Sequence, residues 1–271
     1  MGLTFKCTKF MFDNISSDKF NVMICAFGSG SGLNTSKEVA DVNIESLKTP
    51  SSETWYRTKS DYNSPLTFTF SICKKDYSYF IPLERRMISS WLQSKQGTYK
   101  TMQFFGLEYS NVIFHAKCTT LEKNVVGGEV VGYNLTFTTN APYGYTKEQV
   151  TNIVMPSSTY STIVVNTSDE VDSPLYPRLE ITINENCNFK MKNNRSGLTF
   201  GVTGCTTGEV ITVEPEIGYI YSSIRGVNII NNFNGVWFSL TKDIFDMKNS
   251  ITLTGKANVK LMCSYPRKVG V

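Results

Sequence analysis

Along this chain the clearest signal is alternation. Leu66, Phe68, Phe70 and Ile72 fall on one side of an extended segment, with Thr67, Thr69 and Ser71 on the other. A period of two built from β-branched and aromatic residues predicts a half-buried strand running to Cys73. Similar runs predict strands over 10–12, 20–27, 101–104, 111–118 and 129–138. Asp13-Asn14 is a turn signal after the first, and Val126-Gly127-Gly128-Glu129 is a hairpin or loop connection. One stretch changes period. Pro82 can open a helix, Glu84 lies in its first turn, and Leu83, Met87, Ile88, Trp91 and Leu92 recur at spacings of three to five. This predicts one short helix over 82–94 with those residues on its apolar stripe. Arg85, Arg86 and Ser89 fall toward its polar side, and Gly97 marks the following break.

The second half reads as almost wholly β. Pro156, Ser157, Ser158, Thr167, Ser168, Pro174 and Pro177 cluster around one or two strands, which places a boundary near 145–175 and suggests domains of 1–145 and 146–271. Strands are then expected over 179–183, 198–200, 209–213, 236–240, 251–255 and 259–263, with another beginning at 219–221. Short strands separated by polar turns describe a sandwich or barrel, so the fold class is mainly β with one short helix.

Composition narrows the function. Charged residues make up 18% of the chain and hydrophobic ones 41%, against the roughly 25% charge usual in soluble domains. That suits a rigid β-structure whose surface neighbours cover. The net charge is +4 and the charges are interspersed. Pairs such as Lys74-Lys75 and Arg85-Arg86 are too small for a phosphate-tracking stripe, so nucleic-acid recognition is not expected. The seven cysteines include no Cys-x-x-Cys pair, and their odd number forbids complete intrachain pairing. They read as reduced, partly buried small hydrophobes. No run approaches the 18 or so apolar residues that a membrane helix needs. The start, Met-Gly-Leu-Thr-Phe-Lys, lacks a signal-peptide pattern, and Gly2 lacks the Ser or Thr expected at position 6 for myristoylation.

Candidate chemistry is sparse. His115 is the single histidine; Ile113 shares its side of the strand while Phe114 and Ala116 take the other. One histidine cannot build a His-rich metal site, and Cys118, three residues on, points away from it. The acidic residues form two small clusters, Asp169-Glu170-Asp172 and Glu209, Glu214, Glu216. A carboxylate pair could flank a glycosidic bond if the fold set it about 5–9 Å apart, but nothing favours one pair, and the first cluster lacks the spacing of a calcium loop. No cofactor, metal or catalytic residue is expected, and an enzyme is the least favoured class. Gly28, Gly30 and Gly32 form a G-x-G-x-G run without the residues that complete a phosphate loop, so they read as a flexible loop or inter-subunit arm. Trp55, Trp91 and Trp237 are core or interface anchors. Trp237 also admits a competing reading, a sandwich module that stacks sugar rings.

The order of segments resembles the distal tail protein family (Dit) of long-tailed phages. The resemblance begins at Phe10–Asn14 and strengthens at Arg85-Arg86-Met87-Ile88-Ser89-Ser90-Trp91-Leu92. It continues through Asn134-Leu135-Thr136-Phe137, Ala141-Pro142-Tyr143-Gly144, Pro177-Arg178-Leu179-Glu180-Ile181, Gly235–Leu240 and Asn249–Gly255. Asn249-Ser250 departs from the Gly-x-Asn common there. The resemblance implies an N-terminal ring-forming β-domain, usually hexameric, with Phe80–Leu92 as the helix packed on the ring sheet. It also implies a C-terminal galectin-like sandwich, a shape that does not by itself imply sugar binding. The implied partners are further copies of the chain, the tail tube protein, a tail-tip or tail-associated protein, and receptor-binding or peripheral baseplate proteins. The implied location is the virion tail, assembled in the host cytoplasm. A tail tube or hub component is the neighbouring alternative.

Overall fold

The computed structural model describes residues 8–27, 38–48, 50, 55–93, 97–106, 109–171 and 173–269. It is mainly β, with one short α-helix, and divides into two compact units: residues 1–145 with 267–271, and residues 146–266.

In unit 1, β1 (Phe10–Phe12) and β2 (Ile15–Ser16) meet at a two-residue turn where Asp13 and Asn14 both adopt positive φ, 51° and 62°. Short polar side chains tolerate that conformation. A 3₁₀ turn, Ser17–Phe20, precedes β3 (Val22–Cys25), with left-handed Asn21 between them, so the strand expected over 20–27 is shorter. β4 (Val42–Lys48) and β5 (Trp55–Tyr62) pair only with each other, as a separate two-stranded ribbon. β6 (Thr67–Lys74) leads to α1 (Pro82–Leu92). Beyond it lie β7 (Lys100–Phe104), β8 (Val112–Val126), β9 (Glu129–Thr139) and β10 (Gly144–Thr146). The main sheet runs β2-β1-β7-β8-β9-β6-β3, and β10 pairs with β8 and with the short closing strand Pro266–Arg267.

The alternation predicted for β6 sets this sheet's two faces. Phe68, Phe70 and Ile72 are buried beside Phe104, Phe114 and Phe137. Phe70 stacks on Phe137 with ring centroids 5.6 Å apart and planes 3° from parallel. Each such side chain contributes about 1.5–3 kcal/mol on leaving water. The opposite face is a polar ladder: Thr69 meets Thr136 at 3.2 Å, and Ser71 donates to Asn134 at 2.7 Å. Gly127 and Gly128, with φ of 59° and 87°, close the β8–β9 hairpin in the two-residue turn whose twist matches the strands.

Unit 2 is a two-sheet sandwich around one core. Its strands are β11 (Gln149–Val154), β12 (Thr159–Val165), β13 (Arg178–Ile183), β14 (Cys187–Asn193), β15 (Thr199–Cys205), β16 (Val210–Glu214), β17 (Tyr219–Ser222), β18 (Lys248–Thr254) and β19 (Ala257–Cys263). One sheet runs β11-β19-β13-β16-β17, the other β12-β18-β14-β15. The strand expected over 236–240 is absent as a ladder; Leu240 bridges only Leu175. Two buried amides hold this segment instead. Asn193 donates to the Ser239 carbonyl at 2.9 Å and to Asn249 Oδ1 at 2.8 Å. Asn249 accepts from the Thr241 N–H and donates to the Thr241 carbonyl, both at 2.9 Å. Side chains thus satisfy backbone groups that a strand partner would otherwise satisfy.

Candidate interaction surfaces

Helix α1 begins at Pro82, and Glu84 in its first turn accepts the Ile81 N–H at 3.0 Å. The same carboxylate accepts from Lys74 Nζ at 3.0 Å, which gives the largely buried Lys74 a partner and places negative charge at the positive helix end. The buried face carries Ile88 and Leu92, with Arg85 and Ser89 half-buried. The predicted stripe is therefore corrected: Leu83 and Met87 are 56% and 49% exposed. A helix buries residues three and four apart, and here that row is 85, 88, 89 and 92. Phe80 precedes the helix and is buried edge-on to Tyr133 at 5.3 Å.

Trp91 is the joint between helix and sheet. Its ring stacks on Phe10 at 5.4 Å and on Phe20 at 4.5 Å, and its Nε1–H donates to the Phe12 carbonyl at 3.0 Å. On the solvent side, Leu83 and Met87 line an open notch with Phe20, Lys19, Arg86 and Ser90. Nearby, the Asp18 carboxyl is held down to about 2 by hydrogen bonds from Lys75 and Lys9.

The β4–β5 ribbon is a second exposed surface. Every residue of β4 is exposed, including Val42, Ile44 and Leu47. A lone two-stranded ribbon is marginal in water, and apolar side chains on it favour a partner surface. Gly28, Gly30 and Gly32, expected as a loop or arm, lie outside the described residues.

In unit 2, Trp237 is half-buried against Phe233, centroids 4.8 Å apart. That contact covers one side of the ring. The acidic groups near residue 209 serve different partners. Glu209 is fully buried and accepts from Arg225 Nε at 2.8 Å, from the Thr206 N–H at 3.0 Å and from the Ser222 hydroxyl. Burial alone would raise its carboxyl, but the bonds from Arg225, Ser222 and Thr206 together hold it below the usual range. Arg225 also donates to the Thr203 carbonyl at 2.9 Å, so the pair clasps β15, β16 and the turn after β17. Glu214 pairs with Arg178 at 3.1 Å, and Glu216 is exposed. Asp169 and Glu170 are half-buried, and Asp172 lies outside the described residues. His115 is half-buried on β8, opposite Thr101. Among the described residues no group of three or more His, Cys, Asp or Glu is placed to hold a metal ion, and no helix is long and apolar enough to cross a membrane.

These surfaces sit on a scaffold with known relatives. Residues 5–141 match the family described as phage tail protein, N-terminal domain, and residues 143–263 match the phage tail C-terminal domain. The chain belongs to this family of phage tail proteins. No curated protein sequence matches it. Among solved structures it is similar to the Dit protein (gp 19.1) of phage SPP1, described as a paradigm of the hub adsorption apparatus in phages infecting Gram-positive hosts. That likeness covers 96% of this chain and 100% of the other at 12% identity, with a TM-score of 0.66, and it establishes a shared fold. A chain of the phage p2 baseplate in its activated conformation aligns over 95% of this chain and 97% of its own at 9% identity, with a TM-score of 0.42.

Proposed function

We propose that this phage tail protein is a distal tail component that assembles with copies of itself into a closed ring, in the Dit manner a hexamer. The ring joins the tail tube to the baseplate or tip and supports host-attachment proteins. Its contacts are other copies of the chain, the tail tube protein, a tail-tip or tail-associated protein, and peripheral or receptor-binding baseplate proteins. The work is geometric and binding, without turnover. The observation that carries this reading is correspondence of fold with a Dit protein along nearly the whole of both chains, across both family-matched halves. The exposed ribbon and the apolar outer side of α1 add physical support, because closed cyclic symmetry covers such surfaces with neighbouring copies.

The test is the solution mass of the purified full chain by light scattering, with negative-stain imaging. Closed rings are expected. A second sample carrying Ile44→Asp and Leu47→Asp should lose the rings and keep its thermal unfolding transition. A wild-type chain that stays monomeric at high concentration would overturn self-assembly through these surfaces.

A further inference from the structure

Cys187 opens β14 and Cys205 closes β15, and the antiparallel register sets them directly opposite each other. Residues so placed have Cα atoms about 4.5–5.5 Å apart, within the roughly 4.4–6.8 Å that a disulfide spans. Both belong to one end of the sandwich core: Cys205 is buried there and Cys187 packs half-buried against the same cluster. Neither is bonded to another cysteine.

Three features make this pair reactive as a unit. A shallow notch of about 440 Å³ is lined by both residues and rimmed by Asn186, Asn188, Gly204 and Thr206, so a small molecule can reach the half-buried Cys187. Gly255, in the β18–β19 turn, has φ +103°, and a Cβ there would lie 3.0 Å from Cys187 Sγ. Glycine thus leaves the thiol space to turn. The register shift between Cys187 and Phe189 frees the strand end from a regular ladder, which gives the backbone latitude to adjust.

We propose that Cys187 and Cys205 are a cross-strand thiol pair that closes to a disulfide when the protein meets an oxidising small-molecule disulfide. A phage tail protein is made inside a reducing cell and later released outside it, so one pair of residues meets both conditions. The exchange balances with glutathione disulfide as oxidant. The Cys187 thiol, the more open of the two, loses its proton and attacks one glutathione sulfur; one glutathione thiolate leaves and a mixed disulfide forms on Cys187. Cys205 then loses its proton and attacks the Cys187 sulfur, expelling the second glutathione thiolate. Two protein thiols are oxidised, one glutathione disulfide becomes two thiols, and the two protons end on the departing thiolates. Burial pushes the Cys205 thiol up, which disfavours its thiolate and leaves the first attack to the more open Cys187. Arg225, whose guanidinium lies 3.9 Å from Cys205 Sγ, favours the thiolate as it forms.

The experiment incubates the native full chain with glutathione disulfide, blocks remaining thiols by alkylation, and digests with trypsin. Peptides 179–190 and 196–225 each carry a single cysteine, so their linkage is unambiguous by mass. The expected result is the linked pair in wild type, with the alkylated form of both peptides lost. In Cys205→Ser, Cys187 should instead keep its glutathione adduct. Recovery of both wild-type peptides fully alkylated overturns the proposal. So does wild-type accumulation of the Cys187 adduct without the linked peptide.

Discussion

At the scale of single residues, two side chains each hold several elements, and their chemistry predicts how each will fail. Trp91 contributes both ring area and one donor. Trp91→Phe keeps the stacking on Phe10 and Phe20 but leaves the Phe12 carbonyl unanswered. It should cost about 1–3 kcal/mol in urea unfolding followed by circular dichroism. Trp91→Ala empties the joint as well and should cost about 3–5 kcal/mol; equal losses in the two variants would show that the ring is not the anchor. Glu209 acts through charge. Glu209→Gln leaves the Arg225 guanidinium without its counter-charge and should cost about 3 kcal/mol. The folded-state carboxyl lies below its ordinary value of 4.5. Its stabilisation is therefore complete above that value and is lost as pH falls through the lowered one. Amide-exchange protection in β16 should decline over that acid window in wild type, while Glu209→Gln, already destabilised, should lack this component.

At the scale of elements, α1 separates what stabilises the fold from what is free to bind. Ile88→Ala should cost about 2–5 kcal/mol. Leu83→Ser with Met87→Ser should stay within roughly 0.5 kcal/mol per site, as surface changes do. If this side of α1 meets a neighbouring copy, the same double variant should shift light scattering toward smaller species. Unchanged assembly would remove α1 from the subunit contact. The helix itself was legible in Pro82, Glu84 and the apolar spacing, but not its orientation. Periodicity placed Leu83 and Met87 with Ile88 and Leu92, whereas packing turned the row of Arg85 and Ser89 inward. Strands with one buried face were legible in the same way, as β6 and β9 show. β14 carries an equally clean alternation, buried Phe189 and Met191 against exposed Lys190 and Lys192, and was still missed. The β4–β5 ribbon carries only a short alternation, Val42 and Ile44 against Asn43 and Glu45, which ends where the register shifts between Glu45 and Ser46. The converse error occurred over 236–240. Its apolar run looks like a strand, but Asn193 and Asn249, distant in sequence, fasten it as irregular chain. No local pattern carries that information, and the Cys187–Cys205 juxtaposition likewise appears only once the register is known.

At the scale of the whole molecule, the path of the chain has a mechanical consequence. Unit 2 is an excursion: the chain leaves unit 1 at residue 145 and returns to it at 267. The two ends of unit 2 are held together, because the Thr146 N–H donates to the Tyr265 carbonyl at 2.9 Å and the Thr146 hydroxyl accepts the Tyr265 N–H at 3.0 Å. The strand 144–146 also pairs with Pro266–Arg267, so the exit and return points are neighbours. Each unit has its own hydrophobic cluster, the feature that lets a domain fold alone. Replacing 147–265 by a short Gly-Ser linker, which keeps the strands 144–146 and 266–267, should therefore leave unit 1 folded, with a cooperative urea transition by circular dichroism. If ring formation belongs to unit 1, the shortened protein should still give closed rings by negative stain. Folded but monomeric unit 1 would assign assembly to unit 2 instead. An aggregated product would show that the closing strand needs more than proximity to pair.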